Sequence, residues 1–249
     1  MQNEYLNKIW HNHIGFNWIL GLILILVVGI PRFVIVMKAY VSGNFYYIFL
    51  VFLTLWFLPF LFLSKKGLRF IGFKKAERRF YLPLALLAGV TMSVIVFLVG
   101  EWFYGDTISN WFVYISRSNG ASGTPNESER LIFFLISGAM SMTFSPVGEE
   151  LFYRGLIHGA FQVDFGQIKA SYIDSLAFAL THLAHFGIVY NNQTWSLLFL
   201  PALLWVLFMF LASRVFFFFK QKSGSLAGAI LCHAGFNVAM MYFIFYYIL

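Results

Sequence analysis

The chain has 249 residues, of which 60% are hydrophobic and only 11% are charged. A soluble domain carries about a quarter charged residues, so this composition, with a mean hydropathy of +0.77, excludes a sizeable soluble domain. The formal net charge of +7 raises the question of nucleic-acid binding, but the placement of the basic residues argues against it.

Seven of the 17 lysines and arginines are crowded into one short loop, 64–81, where a single acidic residue, Glu77, opposes them. Such a cluster beside an apolar helix is typical of a cytoplasmic loop under the positive-inside rule. Basic residues in this position also face anionic lipid head groups. We therefore exclude nucleic acid as a partner and expect membrane lipids. The basic residues of this loop are Lys65, Lys66, Arg69, Lys74, Lys75, Arg78 and Arg79.

Apolar stretches of about 20 residues recur along the chain, which is the length that crosses a bilayer as a helix. They predict an all-α, polytopic membrane protein with about seven transmembrane helices. The first stretch is too long for the apolar region of a signal peptide, so we interpret it as a retained helix. The predicted spans are 15–37, 45–63, 82–104, 130–157, 171–190, 195–219 and 226–248.

The orientation follows once the 64–81 loop is placed in the cytoplasm. The amino terminus is then inside, the 105–129 loop outside, and the 158–170 and 220–225 loops inside. We divide this single membrane domain into an amino-terminal part, 1–129, with the first three helices, and a carboxy-terminal core, 130–249.

Three ionisable side chains are expected at similar depth in this arrangement. Counted from the cytoplasmic ends of their helices, Glu149, His182 and His233 lie about 12, 16 and 10 Å deep. Ionisable residues within membrane spans are costly and usually mark function. The sequence therefore predicts one shared site that opens toward the cytoplasm.

The adjacent residues Glu149 and Glu150 diverge by about 100° on a helix, so they serve different surfaces. Glu150 is spaced i,i+4 from Arg154 and is expected to pair with it, which leaves Glu149 available as a general base. Pro146 removes a backbone donor and opens the helix beside the carboxylates. The structural alternative is a buried Glu–Arg pair that only orients helices.

Histidines occur in two further apolar segments. Phe178 lies one turn before His182 and can pack against its ring, whereas His185 either shares this face or lies at the interface. His233 and Asn237, at i,i+4, can both donate hydrogen bonds to a developing oxyanion, or they can act as polar contacts between helices. The remaining histidines, His11, His13 and His158, are interpreted as interfacial or loop residues.

A serine or cysteine protease is disfavoured. Cys232 is the only cysteine, which excludes an internal disulfide, and it points about 100° away from the adjacent His233. Ser145 lies one turn before Glu149 but has no histidine base on its own helix.

Three ordered motifs now carry a resemblance: Glu-Glu-x-x-x-Arg at 149–154, Phe-x-x-x-His at 178–182 and His-x-x-x-Asn at 233–237. Together they resemble the CAAX-protease and bacteriocin-processing (CPBP, or Abi) family, which includes the type II CAAX prenyl endopeptidases. The resemblance covers about 130–240. It implies that Glu149 and His182 activate the attacking water, that His233 and Asn237 form the oxyanion hole, and that Glu150 and Arg154 support the site.

The resemblance implies an intramembrane endopeptidase whose partner is a peptide or protein substrate with a lipid-anchored or membrane-embedded segment. It also implies an integral protein of a bacterial cell membrane. The alternatives are a non-proteolytic immunity or scaffold protein that retains the site, and a proton-coupled transporter, since carboxylates within helices also relay protons.

The sequence leaves the cofactor open. The family is commonly labelled metalloprotease, and Glu149, His182 and His233 are the residues that would hold zinc in an open site. No His-Glu-x-x-His helix is present, and the same groups can position a water molecule unaided. We favour the mechanism without a metal.

Overall fold

The computed structural model describes residues 2–118 and 126–249, and it confirms an all-α, polytopic membrane fold. After short 3₁₀ turns at Gln2–Tyr5 and Lys8–Trp10, the helices are α1 Trp18–Ser42, α2 Tyr46–Phe62, α3 Lys65–Phe70, α4 Tyr81–Tyr104, α5 Trp111–Ser118, α6 Glu127–Glu149, α7 His158–Thr181, α8 Phe199–Ser223 and α9 Leu226–Phe243. A π-helical segment, Glu150–Ile157, joins α6 to α7, a 3₁₀ turn, His182–Ala184, follows α7, and a π turn, Ile244–Ile248, follows α9.

Five helical stretches in the described ranges are long and apolar enough to cross a membrane, and α2, with 17 residues, is shorter. One stretch, Glu127–Ala184, runs for 58 residues and reverses at Gly166, whose φ of +77° is strained for any residue with a side chain. The predicted spans 130–157 and 171–190 are therefore joined by helix, and the predicted 158–170 loop is wrong. A left-handed glycine turns the chain without a separate loop.

Two other expectations are wrong at the opposite end of the molecule. The predicted outer loop 105–129 contains α5, whose Trp111 and Phe112 are fully buried; residues 119–125 of that loop lie outside the described residues. The predicted span 171–190 ends early, because Ile188–Asn191 and Thr194–Leu197 form an antiparallel hairpin. Asn192 and Gln193 have positive φ, which is the two-residue turn that suits the twist of a hairpin.

The loops gather at two ends. At the basic end, Leu226 N donates to Gly72 O, Glu77 N donates to Ser223 O, and Trp18 N donates to Asp164. We call this the basic end because it carries the cluster of loop 64–81. The far end holds α5 and the hairpin, which the hydrogen bond from Tyr190 N to the Tyr114 hydroxyl joins at 2.8 Å.

Helices α4 and α9 pack most closely, and glycine makes this possible. A Cβ added at Gly89 would overlap the carbonyl oxygen of Cys232, and one added at Gly235 would overlap that of Leu86. Glycine at these two positions therefore permits the close approach of the two backbones. It fixes the height of α9, and hence of His233, against α4.

We predict that Gly89→Ala lowers the free energy of unfolding by about 1–3 kcal/mol, because an overpacked contact forces the two backbones apart. Gly138→Ala is the matched control: it lies on α6, and the nearest side-chain atoms to its Cβ would be 3.9 Å away. Reversible unfolding in mixed micelles measures both variants. Equal stability of the two would contradict the packing argument.

Candidate active site

Glu149 lies at the end of α6 with only 1% of its side chain exposed. Its Oε1 accepts hydrogen bonds from Arg32 Nη2 at 2.8 Å and from Ser145 Oγ at 2.8 Å. Within the described chain its Oε2 has no hydrogen-bond partner. Oε1 is therefore held by two hydrogen bonds, whereas Oε2 is free to accept a hydrogen bond in the interior.

His182 closes the other side of this carboxylate. Its Nε2 lies 3.7 Å from Glu149 Oε2, and its Nδ1 is 2.7 Å from the carbonyl oxygen of Phe178. Trp205 Nε1 donates to the His182 carbonyl at 3.0 Å. The ring also packs on Phe178 at 4.2 Å between centroids, as the spacing predicts. Because α7 ends at this point, the ring is held by the final turn of a helix.

Glu150 points to a different surface, as its helical phase predicts. It lies 3.2 Å from Arg154 Nε, the expected i,i+4 pair, and 2.9 Å from His233 Nδ1. One turn beyond His233, Asn237 Nδ2 donates to Ser141 O at 2.9 Å. The π-helical segment starts at Glu150, four residues after Pro146; such segments are frequent at functional sites.

A second buried cluster supports Arg154, and the sequence analysis missed it. Asp174 lies 3.9 Å from Arg154 Nε and 2.7 Å from His158 Nδ1, and all three side chains are fully buried. Lys220 Nζ donates to the Arg154 carbonyl at 2.5 Å. The interpretation of His158 as an interfacial or loop residue is therefore wrong, because it is fully buried and paired with Asp174. Lys220 is only 7% exposed and lies within α8. Buried charges are costly unless they are paired.

Arg32 of α1 is the other residue that the motifs did not identify. Besides Glu149, it donates to the Thr181 hydroxyl at 3.1 Å and to the Tyr153 hydroxyl at 3.3 Å, and it is 2% exposed. The sequence feature that could have identified Arg32 is its position within an apolar span, where a charged residue is costly. Helix α1 lies outside the region of the resemblance, yet it supplies a direct contact to the proposed base.

The groups face one cavity of about 160 Å³. Its polar lining includes Glu149, His182, His233 and Asn237, so the structure brings these four predicted site residues together. His185 also lines it and hence shares the face of His182. The remaining walls are mostly apolar, from Phe52, Ile115, Phe178, Trp205, Met209, Phe216, Phe236, Met240 and Met241.

The donor set does not fit a zinc ion as it is arranged. Among residues 2–118 and 126–249, no group of three or more His, Cys, Asp or Glu side chains is placed to hold a metal. The Arg32 guanidinium occupies one oxygen of Glu149, and His233 turns its Nδ1 to Glu150. A cation in direct contact with the proposed ligand opposes a second cation.

We predict strong coupling between Arg32 and Glu149. Arg32→Gln and Glu149→Gln should each lower the free energy of unfolding by about 3–5 kcal/mol, because each leaves a buried charge unpaired. The double variant should cost clearly less than the sum. The exposed Arg117–Asp106 pair, at 2.7 Å, is the control, and Arg117→Gln with Asp106→Asn should show no measurable coupling. Additive losses at Arg32 and Glu149 would contradict a direct ion pair.

Part of the chain is similar to a known protein family. Residues 131–239 match the family model described as type II CAAX prenyl endopeptidase Rce1-like. No curated protein and no solved structure matches the chain. The matched segment contains the ordered motifs and all of the clustered residues except Arg32 of α1. The core of this chain, residues 131–239, is therefore similar to the Rce1-like type II CAAX prenyl endopeptidases.

Proposed function

We propose that this protein hydrolyses a peptide bond of a membrane-associated or carboxy-terminally processed substrate, with a water molecule activated jointly by Glu149 and His182. The observation that carries the proposal is the separation of 3.7 Å between Glu149 Oε2 and His182 Nε2. This is too long for a direct hydrogen bond. Both groups can instead contact one water molecule that lies in the cavity, to the side of the line joining the two atoms.

The hydrogen bonds of His182 decide which ring nitrogen is basic. A carbonyl oxygen only accepts, so Nδ1 must carry the proton that is donated to Phe178 O. In the neutral ring Nε2 is then an acceptor. A water in contact with both Nε2 and Glu149 Oε2 therefore meets two proton acceptors and can transfer a proton as its oxygen attacks the carbonyl carbon.

His233 and Asn237 are proposed to stabilise the resulting oxyanion. Asn237 uses one N–H for Ser141 O, and the amide has a second N–H to donate. His233 donates its Nδ1–H to Glu150, so the role requires a proton on Nε2 as well. The Glu150 carboxylate, 2.9 Å away, is the charge that would balance the doubly protonated ring.

Glu150 and Arg154 are proposed to position His233 rather than to touch substrate. The Arg154 guanidinium lies over the ring of Phe178 at 4.2 Å and near that of Phe216 at 5.4 Å. Phe216 in turn stacks on His233 at 4.7 Å between centroids. Ion pairing and stacking thus fix the same imidazole from two sides.

We predict that Glu149→Gln abolishes hydrolysis, because the amide is nearly isosteric but cannot accept the proton from water. The assay follows cleavage of a membrane-peptide substrate identified by comparing wild-type and Glu149→Gln membranes. Glu127→Gln makes the same change at an exposed position of the same helix and should keep full activity. Cleavage by Glu149→Gln at the wild-type rate would overturn the proposal and favour a binding or scaffold function.

Metal removal gives a separate prediction. If Glu149 and His182 activate water unaided, chelator-treated protein should retain most of its activity, and metal analysis should find well under one zinc per chain. A metalloenzyme would lose activity and regain it with added Zn²⁺, because the ion itself lowers the pKa of its bound water to about 7. Recovery that depends on Zn²⁺ would refute the mechanism without a metal.

A further inference from the structure

On helices α6 and α9 the cavity lies on one side of the catalytic groups. Helix α6 runs from the far end toward the basic end, and its lining residues Ser141 and Ser145 precede Glu149. Helix α9 runs the other way, and Asn237 and Met241 follow His233. In both helices the open space therefore extends from the catalytic groups toward the far end.

The other lining elements give the same direction. On α8, which enters from the far end, Trp205 and Met209 come before the basic-end residues. On the turn after α7, His185 lies beyond His182, and Ile115 belongs to α5 at the far end itself. These lining residues place the cavity between the catalytic groups and the far end, whereas Phe178, which is buried four residues before His182, lines it on the basic-end side.

Toward the basic end the interior is closed. Phe152, Tyr153 and Arg154 follow the glutamates on the π-helical segment, and each has at most 1% of its surface exposed. The Asp174–His158 pair continues this fully buried layer. A substrate arriving from the basic end would have to displace these packed and paired side chains, including charged groups whose unpairing is costly.

The two ends also differ in charge. The basic end carries the cluster of loop 64–81, whereas the far end mixes the acidic residues Glu101, Asp106, Glu127 and Glu129 with Lys38, Arg117 and Arg130. The positive-inside rule assigns the basic end to the cytoplasm. This keeps the orientation expected from the sequence.

We propose that the active-site cavity is reached from the extracytoplasmic side of the membrane, opposite to the cytoplasmic opening that the depth count predicted. The depth count took the helix ends from the apolar runs, whereas the chain remains helical past Ile157 up to the bend at Gly166. The lining residues Ser145, Asn237 and Met241 are partly exposed, and each lies on the far-end side of the glutamate or histidine of its own helix.

The direction of access follows from the cavity alone, whereas the nature of the substrate rests on the proposed function. The occupant is a peptide segment that presents its scissile bond in the outer half of the membrane. Its side chains next to that bond should be apolar, because three methionines, Met209, Met240 and Met241, line the cavity. Methionine is flexible and adapts to differently shaped apolar groups.

Cysteine accessibility tests the direction without any activity assay. The native Cys232 is fully buried, so the wild-type protein is the unlabelled background. Three single variants are treated in intact cells with a membrane-impermeant maleimide: Met241→Cys in the cavity, Asn44→Cys in the exposed far-end connection, and Lys75→Cys in the exposed basic loop. Phe52→Cys, on α2, replaces Met241→Cys if that variant fails to fold.

We expect Met241→Cys and Asn44→Cys to be labelled at least tenfold more in intact cells than Lys75→Cys, which should react only after permeabilisation. Labelling of Met241→Cys together with Lys75→Cys, or in neither condition, would overturn the proposal, as would labelling of Lys75→Cys from outside. The labelling pattern does not depend on the outcome of the activity assay with Glu149→Gln. A loss of activity with inward labelling would keep the endopeptidase and reject only its outward access.

Discussion

Glu149 is a carboxylate removed from water inside a membrane protein, and its charge is balanced where it lies by Arg32 at 2.8 Å. An isolated buried carboxylate is so unfavourable that it would be neutralised. Because the partner comes from α1, the site depends on the docking of the first helix against α6 and α7. The anchored Oε1 leaves Oε2 directed at His182, so the same ion pair that makes burial tolerable also selects the oxygen that faces the cavity.

A second network of buried charges lies on the basic-end side of Glu149. Glu150, Arg154 and Asp174 are fully buried and alternate in charge, with histidines at both ends of the series, His233 and His158. Such a network has no net benefit over apolar packing unless it fixes a geometry. Here it ends on the imidazole that faces the cavity, and it also closes the interior toward the basic end. Support of the site and direction of access therefore come from one set of side chains.

The local sequence explains how four polar groups can meet in an apolar protein. Glu149 ends α6 and the π-helical segment starts at Glu150. Because adjacent residues diverge by about 100° on a helix, the two carboxylates face separate partners. The tight α4–α9 contact at Gly89 and Gly235 sets where His233 stands. His182 is at the end of α7, where the chain turns into the hairpin. Each group is therefore positioned by a departure from regular helix or by an unusually close contact.

The sequence by itself determined the fold class, because the length and frequency of apolar runs leave no other solution. It also determined which motif residues share a site and that Glu150 pairs with Arg154, since these follow from order and from i,i+4 spacing. Tertiary structure decided the rest. Arg32, Asp174 and His158 are distant in sequence from their partners, and no periodicity connects them. The burial of α5, the hairpin at 188–197 and the bend at Gly166 depend on packing and on backbone angles. The side from which the cavity opens depends on where each helix ends relative to its neighbours, and a hydropathy profile does not contain that information.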